Sequence, residues 1–424
     1  MSDIRIAIAG LGVVGAEVAR HLIANQEQLS QKAGHNLVLT AVSARSKGKD
    51  RGVNLDGITW FDNPVALADE DVDIIIELMG GSDGPALALT KAALEQGKHV
   101  VTANKAMIAI HGVELAELAE AHNAQLFFES SVAGGIPALK ILREGLSAND
   151  ISAVSGILNG TCNYILSEME ETGRPFDDVL AEAQALGYAE ADPTFDVDGI
   201  DAAHKLTILS ALAFGTKPDF DSLSITGIRA ITASDISYAE ELGYRIRLIG
   251  RAAKGAPAKV APVLLKENAQ LAKVTGSLNA VHYEAEPVNL VSAIGPGAGA
   301  GPTASAVLAD IIDISAGRYN FPFGKPVAQL ATPDKNQTDD SRSEYYLRLV
   351  VADKPGVLAS VTDILQNCDI SVETLIQKGD GTSDQVDLLM IVHETDHASM
   401  AKASNTLASL DAVMAVHQPL AVLA

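Results

Sequence analysis

The sequence of 424 residues predicts an α/β protein made of three parts. In residues 1–130, short and continuously apolar segments alternate with helical ones, which is typical of a parallel, doubly wound sheet. Residues 131–325 carry longer segments of alternating polar and apolar residues, which predict an α+β domain with a largely antiparallel sheet. A polar linker at 331–343 precedes a third part, residues 344–424.

Composition and charge exclude several classes of partner. The net charge of −23 at pH 7 opposes binding to nucleic acid and to anionic membrane surfaces. Two cysteines are too few for a disulfide framework or a zinc site. The N-terminus lacks a signal-peptide pattern, and no apolar run reaches the roughly 18 residues that a membrane span needs. We therefore expect a cytoplasmic protein that contacts neither nucleic acid nor membrane.

A glycine-rich loop near the N-terminus predicts a dinucleotide site. The apolar run Ile4–Ala9 leads into the sequence GLGVVG and then into a helical segment, the Rossmann arrangement in which a pyrophosphate rests on the helix N-terminus. The residues expected at the cofactor are Leu11, Gly12, Val13, Val14 and Gly15. A plain strand-to-helix turn is the alternative.

The end of the second strand bears on the choice of cofactor. The strand Leu37–Ser43 is followed by Ala-Arg-Ser-Lys, without the acidic residue that usually binds the ribose of NAD. Arg45 and Lys47 could instead hold a 2′-phosphate, which favours NADP(H) while leaving NAD(H) possible. Both are otherwise ordinary loop cations.

Two further strand ends add candidate cofactor residues. Ligands of doubly wound sheets bind at the carboxyl ends of the strands. The segment Val72–Met79 ends there in a turn that contains Gly81 and Ser82, and the strand His99–Thr102 is followed by Lys105. We expect these residues to line the cofactor site, although Lys105 could instead be a solvated loop lysine.

Glycine-rich and polar turns mark the middle of the chain. The turn at 130–137, SSVAGGIP, offers main-chain carbonyls that could ligate a hard cation, although a plain turn fits equally well. The run at 295–301, which includes Gly299, lets the backbone approach a ligand or another domain closely. The helix near 303–318 is expected to complete the dinucleotide-binding domain. In the sequence Asn159-Gly160-Thr161, an amide and a hydroxyl could face a substrate, or Thr161 could cap a helix.

An acidic stretch in the middle of the chain ends in a helix with an acid–lysine pair. Asp198 is a plausible N-cap, and Asp201 and Lys205 lie one turn apart on the same face as the apolar Ile208. Burial would lower the pKa of Lys205, whereas Asp201 would favour its charged form. Such a lysine can deliver a proton in a closed site, although structural ion pairs share this pattern.

The tail follows the order strand, helix, strand, strand, helix, strand. Tyr345–Val351 and Val357–Gln366 open this order, with the turn Asp-Lys-Pro-Gly between them. The pattern predicts a ferredoxin-like module. The start of the first helix is a natural position for a carboxylate ligand.

These motifs together resemble one enzyme family. The sequence from 187 to 205, GYAEADPTFDVDGIDAAHK, is similar to the signature of homoserine dehydrogenases. The glycine loop, Asn104-Lys105, ESSVAGGIP, NGT and GPGAGAGPTA occur in the order that this family shows, over about residues 1–325. The tail looks like an ACT domain, a module that binds amino acids, and no aspartate kinase domain is present.

The resemblance implies NAD(P)H-dependent interconversion of L-aspartate 4-semialdehyde and L-homoserine, in threonine, methionine and isoleucine biosynthesis. It makes Lys205 the proton donor to the carbonyl oxygen, with Asp201 orienting it and Lys105 between nicotinamide and substrate. It makes Glu190 the ligand of the substrate amine, with Asp196 and Thr161 nearby.

The resemblance also implies an ion, an effector and an assembly. Main-chain oxygens would bind a monovalent cation, Na⁺ or K⁺, at Glu129, Val132, Gly134 and Ile136. An amino-acid effector, threonine or methionine, would bind the ACT domain and inhibit, at Asp353, Gly356, Val357 and Leu358. The residues 131–325 would also support a homodimer or homotetramer.

Two other functions fit the same sequence. One is a non-catalytic amino-acid sensor in which the ACT tail is the active part and the Rossmann part a scaffold. The other is a different amino-acid dehydrogenase on the same fold. The presence of Lys105, Glu190, Asp201 and Lys205 favours an enzyme over the sensor.

Overall fold

The computed structural model describes residues 1–334, 341–379 and 384–423. The chain divides into two compact units. Their segments are Met1–Gly160, Asp201–Leu223 and Leu278–Lys335 for the first unit, and Thr161–Ile200, Ser224–Ser277 and Asn336–Ala424 for the second. In the described ranges, no helix is long and apolar enough to cross a membrane.

The regular elements are numbered along the chain. The strands of the described residues are β1 (Asp3–Ala9), β2 (Asn36–Ser43), β3 (Thr59–Phe61), β4 (Ile74–Glu77), β5 (His99–Thr102), β6 (Leu126–Phe127), β7 (Asp150–Ile157), β8 (Ser224–Ile225), β9 (Tyr244–Ala253), β10 (Lys259–Lys266), β11 (Leu278–Glu286), β12 (Asn289–Pro296), β13 (Arg342–Ala352), β14 (Val372–Lys378), β15 (Gln385–Asp396), β16 (Val413–Val416) and β17 (Leu420–Leu423). The helices there are α1 (Val13–Ala24), α2 (Gln26–Ala33), α3 (Pro85–Glu95), α4 (Lys105–Ala121), α5 (Ala138–Lys140), α6 (Gly160–Thr172), α7 (Phe176–Ala185), α8 (Thr194–Val197), α9 (Ile200–Phe214), α10 (Ala233–Glu241), α11 (Ala300–Ser315), α12 (Val357–Asn367) and α13 (His397–Leu407).

The first unit contains the predicted doubly wound sheet. Its strands run parallel in the order β3-β2-β1-β4-β5-β6. Helix α11 packs against α1 and α2, and its Val307, Ile311 and Ile314 are buried with Val18 and Leu22 of α1. The helix after the glycine run therefore returns to the sheet, starting a few residues before the predicted position.

The same unit holds a smaller antiparallel sheet in the order β12-β11-β7. Neither the strands β3 and β11 nor the helix α2 was predicted from the sequence. Gly156 of β7 lies so close to β11 that a Cβ atom would come within 2.2 Å of the Ala280 carbonyl oxygen. The end of β7 is thereby fixed where it enters the candidate site.

The second unit contains the predicted ferredoxin-like module. Strands β9-β10-β17-β13-β15-β14 are neighbours in that order, and β16 pairs with β13. Apolar residues of β13 and β15 pack against α12 and α13 to form its core. The last strand, β17, runs parallel to β10 and antiparallel to β13.

The predicted linker at 331–343 is only partly described. Residues 335–340 lie outside the described residues. On one side Ala331 forms a β-bridge with Thr216, and on the other side β13 begins at Arg342. Residues at both ends of the predicted linker therefore take part in β-pairing.

Gly15 should be far less tolerant of substitution than Gly12. A Cβ atom at Gly15 would lie 1.9 Å from the Gly10 carbonyl oxygen, whereas at Gly12 it would meet nothing within 4 Å. We expect Gly15→Ala to lower the free energy of unfolding by roughly 1–3 kcal/mol, the usual cost of overpacking. Gly12→Ala is the matched control, and urea denaturation measures both. Equal stability of the two variants would contradict this packing.

Candidate active site

A cavity opens at the carboxyl ends of β1 and β2. Gly10 has a φ of +97° and lies against the Leu78 carbonyl, so the loop turns tightly while open space remains in front of Gly12. The volume of the cavity is about 560 Å³, within the range of small-molecule sites. Its lining residues are Gly10, Leu11, Gly12, Ser43, Ala44, Arg45, Ser46, Lys49, Arg51, Asp62, Pro64, Leu78, Met79, Gly80, Pro85 and Ala86.

This cavity fits a dinucleotide phosphate. Helix α1 starts at Val13, and no side chain caps its first turn, so its backbone N–H groups can receive an anion. Arg45 and Lys49 add positive charge to the wall. Lys47 does not line the cavity, and neither do Val13, Val14 and Gly15.

Arg51 joins two walls of the cavity and was not among the predicted residues. Its guanidinium donates to the carbonyl oxygens of Leu11 at 3.1 Å, Ser46 at 2.6 Å and Lys49 at 2.7 Å. It also lies over the Trp60 ring, 5.2 Å from the centroid. Nothing in the local sequence distinguishes Arg51 from the other basic residues of this loop.

The remaining predicted cofactor residues lie outside the lining of the cavity. The Gly81 carbonyl accepts a hydrogen bond from Asn104, and the Ser82 hydroxyl donates to Asp83. Gly299, with a φ of +110°, is the N-cap of α11. Two residues before it, the Gly297 carbonyl oxygen lies 2.5 Å from where a Cβ of Gly134 would be. The glycine run thus packs against the 133–135 turn.

A buried carboxylate lies between two lysines in the first unit. Lys105 is the first residue of α4, and Asp201 and Lys205 lie in the first turns of α9. The Lys105 Nζ is 2.8 Å from Asp201 Oδ1, and the Lys205 Nζ is 2.7 Å from Asp201 Oδ2. Asp201 and Lys205 are 4% and 7% exposed. The sequence pair is therefore a buried cluster with a third member.

The end of β7 completes this cluster. The Lys205 Nζ also donates to the Leu158 carbonyl oxygen at 2.7 Å, and the Asn159 Nδ2 donates to Asp201 Oδ2 at 2.8 Å. Burial alone would raise the pKa of Asp201, but the charges of Lys205 and Lys105 overcome it and hold the pKa well below its usual value. The Asn159 amide, predicted to face the substrate, contacts Asp201.

A buried glutamate is linked to the backbone next to Lys105 by hydrogen bonds. Glu77, at the end of β4, accepts hydrogen bonds from the Met79 N–H at 2.7 Å and from the Thr102 hydroxyl at 2.6 Å. The Thr102 Oγ1 accepts the N–H of Asn104, the N-cap of α4. This chain of bonds fixes the backbone from which Lys105 projects. Its sequence signal is an acid inside the apolar run VDIIIELM.

His204 adds a neutral ring beside the cluster. Its imidazole stacks on Phe220 with ring centroids 4.3 Å apart. Burial lowers the pKa of His204 to about 4, against the opposing effect of Asp201. The ring is therefore uncharged at neutral pH and adds no third positive charge.

The predicted substrate residues lie in the second unit. Glu190 and Asp196 belong to residues 187–198, here called the substrate segment, and Thr161 lies in α6. The Thr161 hydroxyl donates to the Tyr188 carbonyl oxygen at 2.8 Å, and Gln184 Nε2 donates to the Glu190 carbonyl oxygen at 2.9 Å. Glu190 is exposed and Asp196 half-buried. Thr161 thus holds the segment in place.

The N-cap predicted at Asp198 is wrong. Asp198 follows the short helix α8 as its C-cap, and its carboxylate pairs with Arg229. Gly199, with a φ of +85°, then turns the chain into α9. The left-handed conformation at this glycine separates Asp198 from the first turn of α9.

The predicted cation loop is a tight turn in the first unit, formed by Glu129, Val132, Gly134 and Ile136. Two of its carbonyls accept main-chain hydrogen bonds, Glu129 from Val132 at 3.3 Å and Ile136 from Ala138 at 2.7 Å. The Glu129 carboxylate accepts from the N–H groups of Leu139 and Lys140, and burial raises its pKa to about 8. In the described ranges, no cluster of three or more His, Cys, Asp or Glu side chains could hold a metal.

The predicted effector site lies at the start of α12. Gly356, with a φ of +91°, is its N-cap, Val357 is buried and Leu358 is exposed. The Asp353 N–H donates to the Asp384 carbonyl oxygen, and its carboxylate accepts from Gln377 at 3.4 Å. The turn therefore presents the first N–H groups of α12 beside an acidic side chain.

Comparison with known proteins identifies the family. The model of the homoserine dehydrogenase NAD-binding domain matches residues 10–129, that of homoserine dehydrogenase matches 137–312, and that of the ACT domain matches 345–412. The homoserine dehydrogenases of Neisseria gonorrhoeae and Pseudomonas aeruginosa are 44% and 41% identical to the chain. These alignments cover 97% and 99% of the chain and 97% and 98% of the relatives. The chain belongs to the homoserine dehydrogenase family.

Solved structures of homoserine dehydrogenases are also similar to this chain. A homoserine dehydrogenase from Thiobacillus denitrificans is 41% identical with a TM-score of 0.89, covering 100% of this chain and 99% of that one. The enzyme from S. aureus at pH 7.5 is 31% identical with a TM-score of 0.78, covering 100% and 99%. A hyperthermophilic archaeal homoserine dehydrogenase in complex with NADPH is 30% identical with a TM-score of 0.66, covering 75% and 99%.

Family membership confirms the main predictions. The chain is a homoserine dehydrogenase-type oxidoreductase that uses a nicotinamide cofactor to interconvert L-aspartate 4-semialdehyde and L-homoserine. The fold class, with its Rossmann sheet, α+β part and ACT tail, is confirmed. An enzyme is thereby favoured over the non-catalytic sensor.

Asp201→Asn should destabilise the protein by about 3–5 kcal/mol, because breaking a buried ion pair leaves uncompensated charge. In the wild type the lowered pKa keeps Asp201 ionised, so its contribution stays constant above about pH 5. In the variant, burial lowers the pKa of Lys205 in the folded state. The unfolded state then binds more protons than the folded state, so the free energy of unfolding rises with pH. Urea denaturation at several pH values measures both effects.

The exposed Asp56 provides the control, since Asp56→Asn should leave stability within about 0.5 kcal/mol. A loss in Asp201→Asn no greater than that of the control would show that the cluster is solvated.

Proposed function

We propose that the lysine–aspartate–lysine cluster performs the proton chemistry of this dehydrogenase. The observation that carries the proposal is the ionised, buried Asp201 held between Lys105 and Lys205. A carboxylate in that position keeps a buried ammonium charged until a proton is needed. When bound, the nicotinamide ring supplies or removes the hydride at C4 of the substrate.

Lys205 is the proton donor in the reducing direction. As the aldehyde carbon of aspartate 4-semialdehyde gains a hydride, its oxygen develops negative charge and takes a proton from the Lys205 ammonium, which gives the homoserine hydroxyl. In the reverse direction, the neutral amine takes this proton back. Lys105 provides a second positive charge for the developing alkoxide, and Asp201 orients both lysines.

Glu190 binds the substrate amine, with Asp196 and Thr161 beside it. An ammonium group needs a carboxylate partner, and the exposed position of Glu190 leaves its side chain accessible. The hydrogen bonds from Thr161 and Gln184 to the substrate segment support this role because they fix the backbone on both sides of Ala189.

NADP(H) is the preferred cofactor, although NAD(H) is accepted. Arg45 and Lys49 line the cavity at the end of β2, where a 2′-phosphate would lie. The archaeal relative solved in complex with NADPH supports binding of this cofactor. Gly81, Ser82, Lys105 and Gly299 would contact the nicotinamide half of the cofactor.

A monovalent cation, Na⁺ or K⁺, binds main-chain oxygens of the 129–136 turn. Hard cations take oxygen ligands, and each carbonyl there retains a second lone pair beside any hydrogen bond it accepts. Gly134, with a φ of +45°, gives this turn its shape. The ion would hold the turn against the glycine run.

The ACT domain binds an amino-acid effector, threonine or methionine, at the N-terminus of α12, and the protein acts as a homodimer or homotetramer. The open first turn of α12 supports recognition of the effector carboxylate, while Asp353 suits its amine. Through this site the end products of the pathway would inhibit the enzyme.

Lys205→Ala should lower kcat by about 100- to 10,000-fold, the usual contribution of a general acid. The Kd of NADPH should stay unchanged, because Lys205 does not line the nucleotide cavity. Steady-state oxidation of homoserine and fluorescence titration of NADPH measure the two effects. Lys266→Ala, at an exposed site on β10, is the control, and wild-type turnover in Lys205→Ala would refute the assignment.

Arg45→Ala should weaken NADPH by about 10- to 100-fold, because it removes a charged hydrogen bond to phosphate. NADH lacks that phosphate, so its affinity should change little. Lys47→Ala is the matched control, since Lys47 does not line the cavity. Equal losses for NADPH and NADH in Arg45→Ala would refute the cofactor preference.

Titration calorimetry with L-threonine and L-methionine should show binding of one of them, together with inhibition of homoserine oxidation. Gly356→Val should abolish both effects and spare the uninhibited rate, because the φ of +91° is strained for a branched side chain. If neither amino acid binds, the ACT module serves as an oligomer interface.

A further inference from the structure

Asn159 sits where it can control the buried carboxylate. It follows β7 directly, is buried, and donates its Nδ2 to Asp201 Oδ2 at 2.8 Å. The preceding residue, Leu158, accepts from Lys205 at 2.7 Å. Two consecutive residues therefore contact the two members of one ion pair, the amide holding the acid and the carbonyl holding the base.

This arrangement distributes the donors between the two carboxylate oxygens. Lys105 lies at Oδ1, whereas Lys205 and Asn159 share Oδ2. Without the amide, the carboxylate could rotate and offer both oxygens to one ammonium. We propose that Asn159 is a positioning residue, which fixes the plane of Asp201 so that each lysine keeps its own oxygen. This inference rests on the proposed roles of Asp201 and Lys205.

Two substitutions separate a hydrogen-bonding role from simple packing. Asn159→Asp keeps the shape but places a second carboxylate against Asp201, whereas Asn159→Ala removes the amide and leaves space. We expect kcat to fall about 10- to 100-fold in Asn159→Ala, the value of a hydrogen bond to a charged group, and at least as far in Asn159→Asp. The solvent isotope effect on kcat should rise, because proton transfer becomes slower, while the KM for NADP⁺ stays constant.

The control is Asn163→Ala, which removes another buried amide, one that donates to the carbonyl oxygens of Val274 and Gly276. Its solvent isotope effect should equal that of wild type. If Asn159→Asp is more active than Asn159→Ala, the residue only fills space and the proposal fails. If Lys205→Ala retains turnover, the proposed function itself fails, so the two failures are distinguishable.

A second inference concerns residues 224–241, here called the brace, which contact the substrate segment at one end. A Cβ atom at Gly227 would lie 2.2 Å from the Val197 carbonyl oxygen and 2.5 Å from the Asp198 Cα. The Ile228 N–H donates to the same Val197 oxygen at 2.8 Å. Ile228 and Val197 are both fully buried, so the segment cannot shift without moving the brace.

The other end of the brace is joined to the ACT sheet by a buried arginine. Arg348 of β13 donates to Asp235 at 3.1 Å and Thr232 at 2.9 Å, the two members of the capping box of α10. It also donates to Asp387 of β15 at 2.9 Å. Tyr238 lies over the guanidinium, 5.5 Å away, and its hydroxyl donates to Asp387. Helix α10 is thus fixed to two ACT strands.

We propose that the brace couples the ACT domain to the substrate segment. Removing Arg348 would leave two carboxylates without their shared counter-charge, which displaces α10. Because a coupling free energy is reciprocal, a change at either end of the brace is felt at the other. The inference rests on the proposed substrate role of Glu190.

Amide hydrogen exchange and substrate kinetics of the full-length protein test the coupling. Arg348→Met should speed exchange in the substrate segment and raise the KM for homoserine at least about threefold, without changing the KM for NADP⁺. Gly227→Ala, at the other end, should do the same. Should Arg348→Met fail to fold, Tyr238→Phe removes only the hydroxyl bond and should give a smaller effect in the same direction.

Arg342→Met is the matched control, since Arg342 lies on the same strand and donates to the Glu394 carbonyl oxygen within the ACT domain. Faster exchange confined to the ACT domain, with an unchanged KM for homoserine, would overturn the coupling. Glu190→Gln tests the underlying assignment separately, because an unchanged KM there refutes the substrate role while leaving the exchange result intact.

Discussion

One buried carboxylate pairs with two ammonium groups, and the geometry of the candidate active site depends on it. Placing Lys205 in the interior would be costly without Asp201, because desolvation penalises an isolated charge by several kcal/mol. The fold meets this requirement by bringing together the start of α4, the end of β7 and the first turns of α9. Lys105 of α4 and Asn159 after β7 both contact Asp201 of α9.

The parts of this site that sequence can predict are local. The Rossmann loop follows from glycine spacing, and Asp201 and Lys205 share a face because they are one helical turn apart. The order of the ACT elements follows from alternating patterns. Signals of this kind depend on residues that are close together in the sequence. The elements and their order can be predicted from them, and the fold class follows from that order.

The contacts that sequence could not predict join distant segments. Asn159 and Asp201 are 42 residues apart, and nothing near Asn159 distinguishes a substrate ligand from a partner of Asp201. Glu77 lies within an apolar strand, and its hydrogen bond from the Thr102 hydroxyl depends on the pairing of β4 with β5. The N-cap at Asp198 was wrong because a separate short helix and Gly199 intervene, although Asp is a favoured capping residue.

The position of β17 has a consequence for how the chain folds. This strand lies between β10 and β13, pairing with one in parallel and with the other antiparallel. Its register joins Leu264 to Val422, so β17 links β10 to β13 through a contact of long sequence separation. Such contacts form slowly, since loop-closure entropy is lost before the pairing is gained. Because β17 pairs with β10 on one side and with β13 on the other, the ACT strands and the strands β9 and β10 should fold and unfold in one cooperative transition.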